Sequence, residues 1–305
     1  MPTNGSMPIF TFNENRAMIW YGLVYLLISA PLLPLYAIVM TALHTIDRKV
    51  HNMTYKLMNL VNFFEVSQSF VHLLSCPLLV FPVLQSNLEV FVRTIGCILN
   101  TFWIAELPVM ALLAVCRILI FREHIRTDKM APIVKLVLAL ILSWITFVLL
   151  TGCITQNFML SPPSWEYDMR VPYAGHFADA ELVLSFASLG TAYLSYLVII
   201  YLIYKKRRVT ASAKNRDNEI SILIQYTFTI TYIVIVIVLW HRGGDFFDMD
   251  NPNVLAVINS LWIACSYMSP VMLLILNKSI RKECQFLIGI KEKKRVSSLR
   301  RVTTT

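Results

Sequence analysis

The chain has 305 residues, of which 57% are apolar or aromatic and 15% charged, with a net charge of +9. A soluble domain carries about 25% charged residues, so a water-solvated enzyme core is excluded, and the apolar content excludes a disordered chain. A mean hydropathy of +0.62 leaves a polytopic helical membrane protein as the broad class.

Taken in chain order, residues 1–17 (MPTNGSMPIFTFNENRA) lack both a basic stretch and an apolar run of signal-peptide type. The first apolar segment is therefore expected to direct insertion itself. A bilayer core about 30 Å thick needs roughly 20 apolar residues of helix. Seven segments meet that need: Met18–Leu43, Tyr55–Phe81, Arg93–Phe121, Pro132–Thr155, Ala180–Tyr204, Ile220–Trp240 and Val254–Leu276. The ten-residue alternation of a membrane barrel is absent. The expected architecture is all-α, a seven-transmembrane helix bundle over 18–276, followed by an amphipathic helix and tail over 277–305.

Lysine and arginine set the orientation. With the N-terminus outside, 23 of the 27 fall in inner segments and 4 in outer ones. Three N-x-[ST] sequons occur, at Asn4, Asn52 and Asn277, and only Asn4 lies on the expected outer side, so it alone is the glycosylation candidate. Basic charge spread along inner loops suits lipid headgroups and an acidic protein surface rather than nucleic acid.

Two acids, Glu65 and Glu106, and His72 are read at mid-depth in the second and third segments. A charge at that depth is costly, so such an acid faces the bundle interior and finds a partner. Eleven residues separate Glu106 from Arg117, which is about 20° of helical rotation, so both lie on one face. Trp103 and Met110 complete that stripe. Two readings compete for these acids: a ligand, ion or proton site, or neutral acids that hold neighbouring helices together. Trp103, Glu106, Met110, Trp240 and Trp262 form the expected ligand-contact set.

Cys97 and Cys153 fall near the outer ends of the third and fourth segments, where an oxidising compartment would preserve a disulfide, with Cys76 as a competing partner. After the last segment, Ile280, Cys284, Leu287 and Ile288 make one apolar stripe suited to the inner membrane surface. Cys284 there is a palmitoylation candidate or a buried hydrophobe. Phosphorylation at Ser297, Ser298 or the terminal threonines of the basic tail would weaken its attraction to anionic lipid. No metal-ligand spacing, catalytic motif or cofactor fingerprint occurs among the scattered histidines and six cysteines. Segment seven has no lysine for a retinal Schiff base.

The stretches YKLMNL, LLAVCR and SPVMLLILNKSIRKEC resemble those of nematode serpentine chemoreceptors, a branch of the G-protein-coupled receptors, with class T the nearest. In LLAVCR, Arg117 matches the family's arginine and Cys116 replaces the residue before it. The Asn-Pro-x-x-Tyr of rhodopsin-like receptors is represented by Ser269, Pro270 and Leu273, without the tyrosine, and segment six has no proline. The resemblance implies a chemosensory receptor in the plasma membrane, in sensory cilia, that binds an extracellular small molecule or peptide and activates a heterotrimeric G protein. Arg117, Arg122, Lys205, Lys206, Arg207 and Arg208 are the expected coupling residues. An ion-conducting or transporting protein using Glu65 and Glu106 is the alternative, opposed by the odd number of segments and the lack of an inverted repeat.

Epitope tags at the two ends should be protected by opposite faces of a sealed vesicle, and glycosidase should shift the mobility of the wild-type chain but not of Asn4→Gln. Tags exposed on the same face would overturn the seven-segment reading.

Overall fold

The computed structural model describes residues 8–122, 124–125, 128–206 and 213–289; within these, the side chains of 203 and 206–226 are left aside. The helices are α1 (Arg16–Ser29), α2 (Leu32–Val50), α3 (Met53–Val80), α4 (Pro82–Asn87), α5 (Glu89–Phe121) and α6 (Pro132–Thr155). After a two-stranded hairpin come α7 (Ala174–Lys206), α8 (Ala213–Arg242), α9 (Pro252–Cys265), α10 (Met268–Leu276) and α11 (Lys278–Leu287). By length and composition, α1 with α2 spans a membrane once, α3, α5, α6, α7 and α8 each do so once, and α9 with α10 makes a seventh span bent by 40°. The helix bundle matches the sequence expectation, and the fourth span has the same bounds, Pro132–Thr155.

Local chemistry explains where the helices begin. Asn15 caps α1, its side chain accepting from the Ala17 amide at 3.0 Å, and Asn52 caps α3 through the Thr54 amide at 2.9 Å. Asn277 caps α11, accepting from Ser279 and Ile280 at 3.0 and 3.1 Å. Two of the three sequon asparagines therefore have their amides engaged as helix caps, while Asn4 lies outside the described residues. Proline opens α4, α6 and α9 in the first turn, where its missing N–H leaves no intrahelical bond unmade.

The segment between α6 and α7 contains a hairpin. β1 (Phe158–Ser161) pairs antiparallel with β2 (Ser164–Tyr167), Phe158 opposite Tyr167 and Ser161 opposite Ser164. Alternation turns Phe158 and Leu160 inward, and Trp165 is fully buried with its indole donating to Ser75 Oγ at 2.9 Å. Such a short strand pair is inconspicuous in sequence because only four residues alternate on each side.

Helix α5 is the central post, packing against α3, α6, α7 and β1. Its close approach to the hairpin depends on Gly96, where an added Cβ would sit 2.7 Å from Trp165 Cζ3. Helix α11 folds back onto α2: Ile280 and Cys284 are buried, and Lys49 pairs with Glu283 at 3.1 Å. Leu287 and Ile288 remain exposed. The apolar stripe read from the sequence is thus divided between a protein contact and a free end, with Cys284 on the buried part. Residues 290–305, including Ser297 and Ser298, lie outside the described residues.

Gly96→Ala should force Trp165 or α5 to shift and cost about 1–3 kcal/mol. The check is thermal unfolding of the detergent-solubilised chain; an unchanged melting temperature would show that this approach is not tight.

Candidate functional site

Trp262 on α9 is the hub of an aromatic seam. Its ring meets His72 of α3 at 5.0 Å between centroids, and Trp103 of α5 and Trp240 of α8 at 5.4 Å each. All three contacts are edge-on, the arrangement that aromatic quadrupoles favour. The Trp262 indole N–H donates to Gln68 Oε1 at 3.2 Å, and Gln68 Nε2 donates to Glu106 Oε2 at 3.0 Å. One amide thereby joins the aromatic seam to a buried acid.

That acid is one of a pair. Glu65 and Glu106 are each 2% exposed and lie within hydrogen-bonding reach of one another. Ser269 Oγ donates to Glu65 Oε1 at 2.6 Å, and the Tyr36 hydroxyl lies 2.9 Å from Glu65 Oε2 and 2.5 Å from the Ser266 carbonyl. Pro270 explains the last contact. It has no N–H to give the carbonyl four residues earlier, and Tyr36 approaches the oxygen left over at the bend between α9 and α10. The acids thus join α2, α3, α5 and α10.

On the other side of Trp262 a small cavity of about 20 Å³ is lined by Asn100, Trp103, Phe158, Tyr167, Glu181, Val236, Ile237, Trp240, His241 and Trp262. That is room for about one water molecule. The Tyr167 hydroxyl donates to Glu181 Oε2 at 2.6 Å and accepts from Asn100 Nδ2 at 2.7 Å. Burial, followed by the nearby Glu181 carboxyl, raises the Tyr167 hydroxyl well above its ordinary range, so it remains a donor. The cavity floor is the aromatic seam, and its roof is the hairpin.

The hairpin is pinned by ions. Asp168 accepts from Arg170 Nε at 2.8 Å and from Arg93 Nη1 at 3.0 Å, and Arg93 also reaches Glu89 at 3.0 Å. The Arg170 guanidinium, aided by Arg93 and opposed by burial, holds the Asp168 carboxyl well below the usual carboxylate range. An open cleft beside Arg93 and Arg170 therefore presents arginines that already have carboxylate partners.

The expected site residues divide between these places. Trp103, Trp240 and Trp262 line the cavity. Glu106 does not line it but reaches it through Gln68, and Met110 is buried at 1% exposure below Glu106 on α5. Arg117 is buried at the far end of the same helix, with Nη2 4.0 Å from Met58 Sδ. Arg122 and Lys205 are exposed nearer that end, the Lys206 side chain is not described, and Arg207 and Arg208 lie outside the described residues. The expected bridge between Cys97 and Cys153 is not formed: the described cysteines are free, Cys76 among them, and the Cys97 thiol donates to the Gly152 carbonyl at 3.1 Å. Glu181, which the sequence analysis did not single out, is 6% exposed and belongs to the cavity. Its place one residue inside the predicted fifth span was the available signal. Gln68, Tyr36 and Tyr167 carried no such mark.

Tyr36→Phe removes the hydroxyl that sits between the Ser266 carbonyl and Glu65 Oε2 and leaves a buried polar group unpaired, which should cost about 1–3 kcal/mol. Tyr21→Phe, removing an exposed bond to Asn253 of 2.7 Å, serves as the control and should change the melting temperature little. Equal shifts in the two variants would count against the buried network.

A family model described as serpentine type 7TM GPCR chemoreceptor Srt matches residues 7–297. The fold is similar to the crystal structure of squid rhodopsin, with a TM-score of 0.62 over 94% of this chain and 90% of that one, at 12% identity. No curated protein matches the sequence. With nearly its whole length under the family model and a seven-span bundle to go with it, the chain belongs to the Srt family of serpentine 7TM GPCR chemoreceptors.

Proposed function

We propose that the protein is a chemosensory receptor of the plasma membrane, ciliary in sensory cells, whose hairpin end faces outward and whose Arg117 end meets a heterotrimeric G protein. The lysine and arginine bias supports this orientation, since the loops at the Arg117 end hold most of the 27 basic residues. The observation that carries the reading is the chain of contacts from cavity to acid pair: Trp262 to Gln68 to Glu106, with Glu106 and Arg117 on one face of α5.

A ligand of several heavy atoms does not fit in about 20 Å³, so its entry must displace Trp240 or Trp262. Any movement of Trp262 acts on Gln68 and hence on the acid pair that joins four helices. A ligand shifts the balance of two packings only by its differential affinity for them, and this seam is where that difference arises. The packing that opens the far end frees Arg117 and presents Arg122, Lys205, Lys206, Arg207 and Arg208 to an acidic partner surface. The ion-path alternative gains nothing from Glu65 and Glu106, which are hydrogen-bonded across helices rather than ranged along the cavity.

In cells coupled to a G-protein activation readout, Arg117→Ala should remove most of the signal, at least tenfold, while surface expression stays near wild type. Undiminished activation in that variant would overturn the role of the Arg117 end, and current across the membrane without G protein would favour the transport reading.

A further inference from the structure

The cavity against Trp262 has one carboxyl and no lysine or arginine in its lining. Glu181 is nearly inaccessible, receives the Tyr167 hydroxyl at 2.6 Å, and has the Trp103 indole turned to the same carboxyl. These donors are neutral, so a carboxylate charge at this buried place has no lysine or arginine in the lining to balance it until a cation enters. His241, the other titratable side chain of the lining, has Asp179 as its acidic neighbour. With Glu181 the lining holds aromatic side chains from five elements: Trp103 on α5, Phe158 on β1, Tyr167 on β2, Trp240 on α8 and Trp262 on α9.

A carboxyl walled by π systems is the complement of an organic cation. The rings contribute cation–π attraction, strongest for tryptophan and greater once the cation is desolvated. A metal cation is a poorer match, because calcium and magnesium demand several oxygen ligands, whereas this lining is mainly indole, phenyl and aliphatic. The approach favours the same sign of charge. Loops at the hairpin end carry four arginines against eight acids besides Glu181, a field that concentrates cations at the entrance.

We propose that this cavity takes a small organic cation, a quaternary ammonium or protonated amine, with Glu181 as its counter-ion and Trp103, Trp240 and Trp262 as its aromatic walls. The proposal rests on reading the cavity as the receptor's ligand site. Tyr167, its hydroxyl in turn held by Asn100 of α5, fixes the Glu181 carboxyl from the hairpin side. Trp240, partly exposed at the rim, is the ring that must move to admit the cation.

The test uses the purified full-length chain in detergent, with melting temperature followed against choline, tetramethylammonium and phenethylammonium at constant ionic strength. The neutral isostere of choline, 3,3-dimethylbutan-1-ol, is the comparison. At least one cation should raise the melting temperature, and for choline the half-effect should come at a concentration about tenfold or more below that of the neutral compound. Glu181→Gln, which keeps an acceptor for Tyr167, should remove that preference, and Trp240→Leu should weaken the cation about fivefold or more. A neutral isostere as effective as choline, a preference that survives Glu181→Gln, or no response to any of the three cations would overturn the proposal. Should Glu181→Gln fail to fold, the wild-type comparison and Trp240→Leu decide it. Nucleotide exchange on Gα is measured in parallel. A cation-specific shift without exchange leaves the cation site standing and sinks the receptor reading, whereas exchange driven only by neutral compounds does the reverse.

Discussion

Glu65 and Glu106 face each other between α3 and α5 inside a bundle of apolar helices, and both are almost fully buried. In such a place an acid without donors is intolerable, and a pair of unshared negative charges more so. The bundle answers with Ser269, Tyr36 and Gln68. Each partner comes from another helix or another turn, so satisfying two carboxyls fixes the mutual placement of α2, α3, α5 and α10. Apolar packing between spans supplies cohesion but little specificity, since lipid tails are as apolar as leucine. The polar cluster is what distinguishes one arrangement of the helices from its neighbours.

The bend in the seventh span belongs to the same cluster. Pro270 leaves the Ser266 carbonyl without its helical donor, and Tyr36 comes across from α2 to meet it. The Tyr267 hydroxyl donates to the Ile28 carbonyl at 2.6 Å, next to the interruption between α1 and α2. Broken backbone in a membrane is tolerated where protein groups satisfy it. Here the repairs tie the first and last spans together, so a helix break becomes a cross-link.

At the other end the hairpin does the work that a disulfide does in many exposed loops. Trp165 plugs into the groove opened by Gly96, and Asp168 gathers two arginines. Tyr167, anchored between these two fixings, then presents its hydroxyl to Glu181 inside the bundle. The hairpin is therefore a wall of the cavity as well as its cover. Cys97, bonded to the Gly152 carbonyl, contributes to packing rather than to a cross-link.

The sequence by itself determined the class of molecule: seven apolar stretches of spanning length, a one-sided distribution of lysine and arginine, and a stripe on α5 that turns Trp103, Glu106, Met110 and Arg117 inward, where all four are buried. These features are local or periodic, so composition and helical geometry suffice to read them. Only the tertiary structure decided who meets whom. Glu181, at a span edge, is met by Tyr167 of the hairpin, Gln68 joins Trp262 to Glu106, and Cys97 meets a carbonyl instead of Cys153. Partners separated by 14 to 194 residues leave no trace in periodicity, because their encounter is set by how the helices pack and not by the spacing of residues along any one of them.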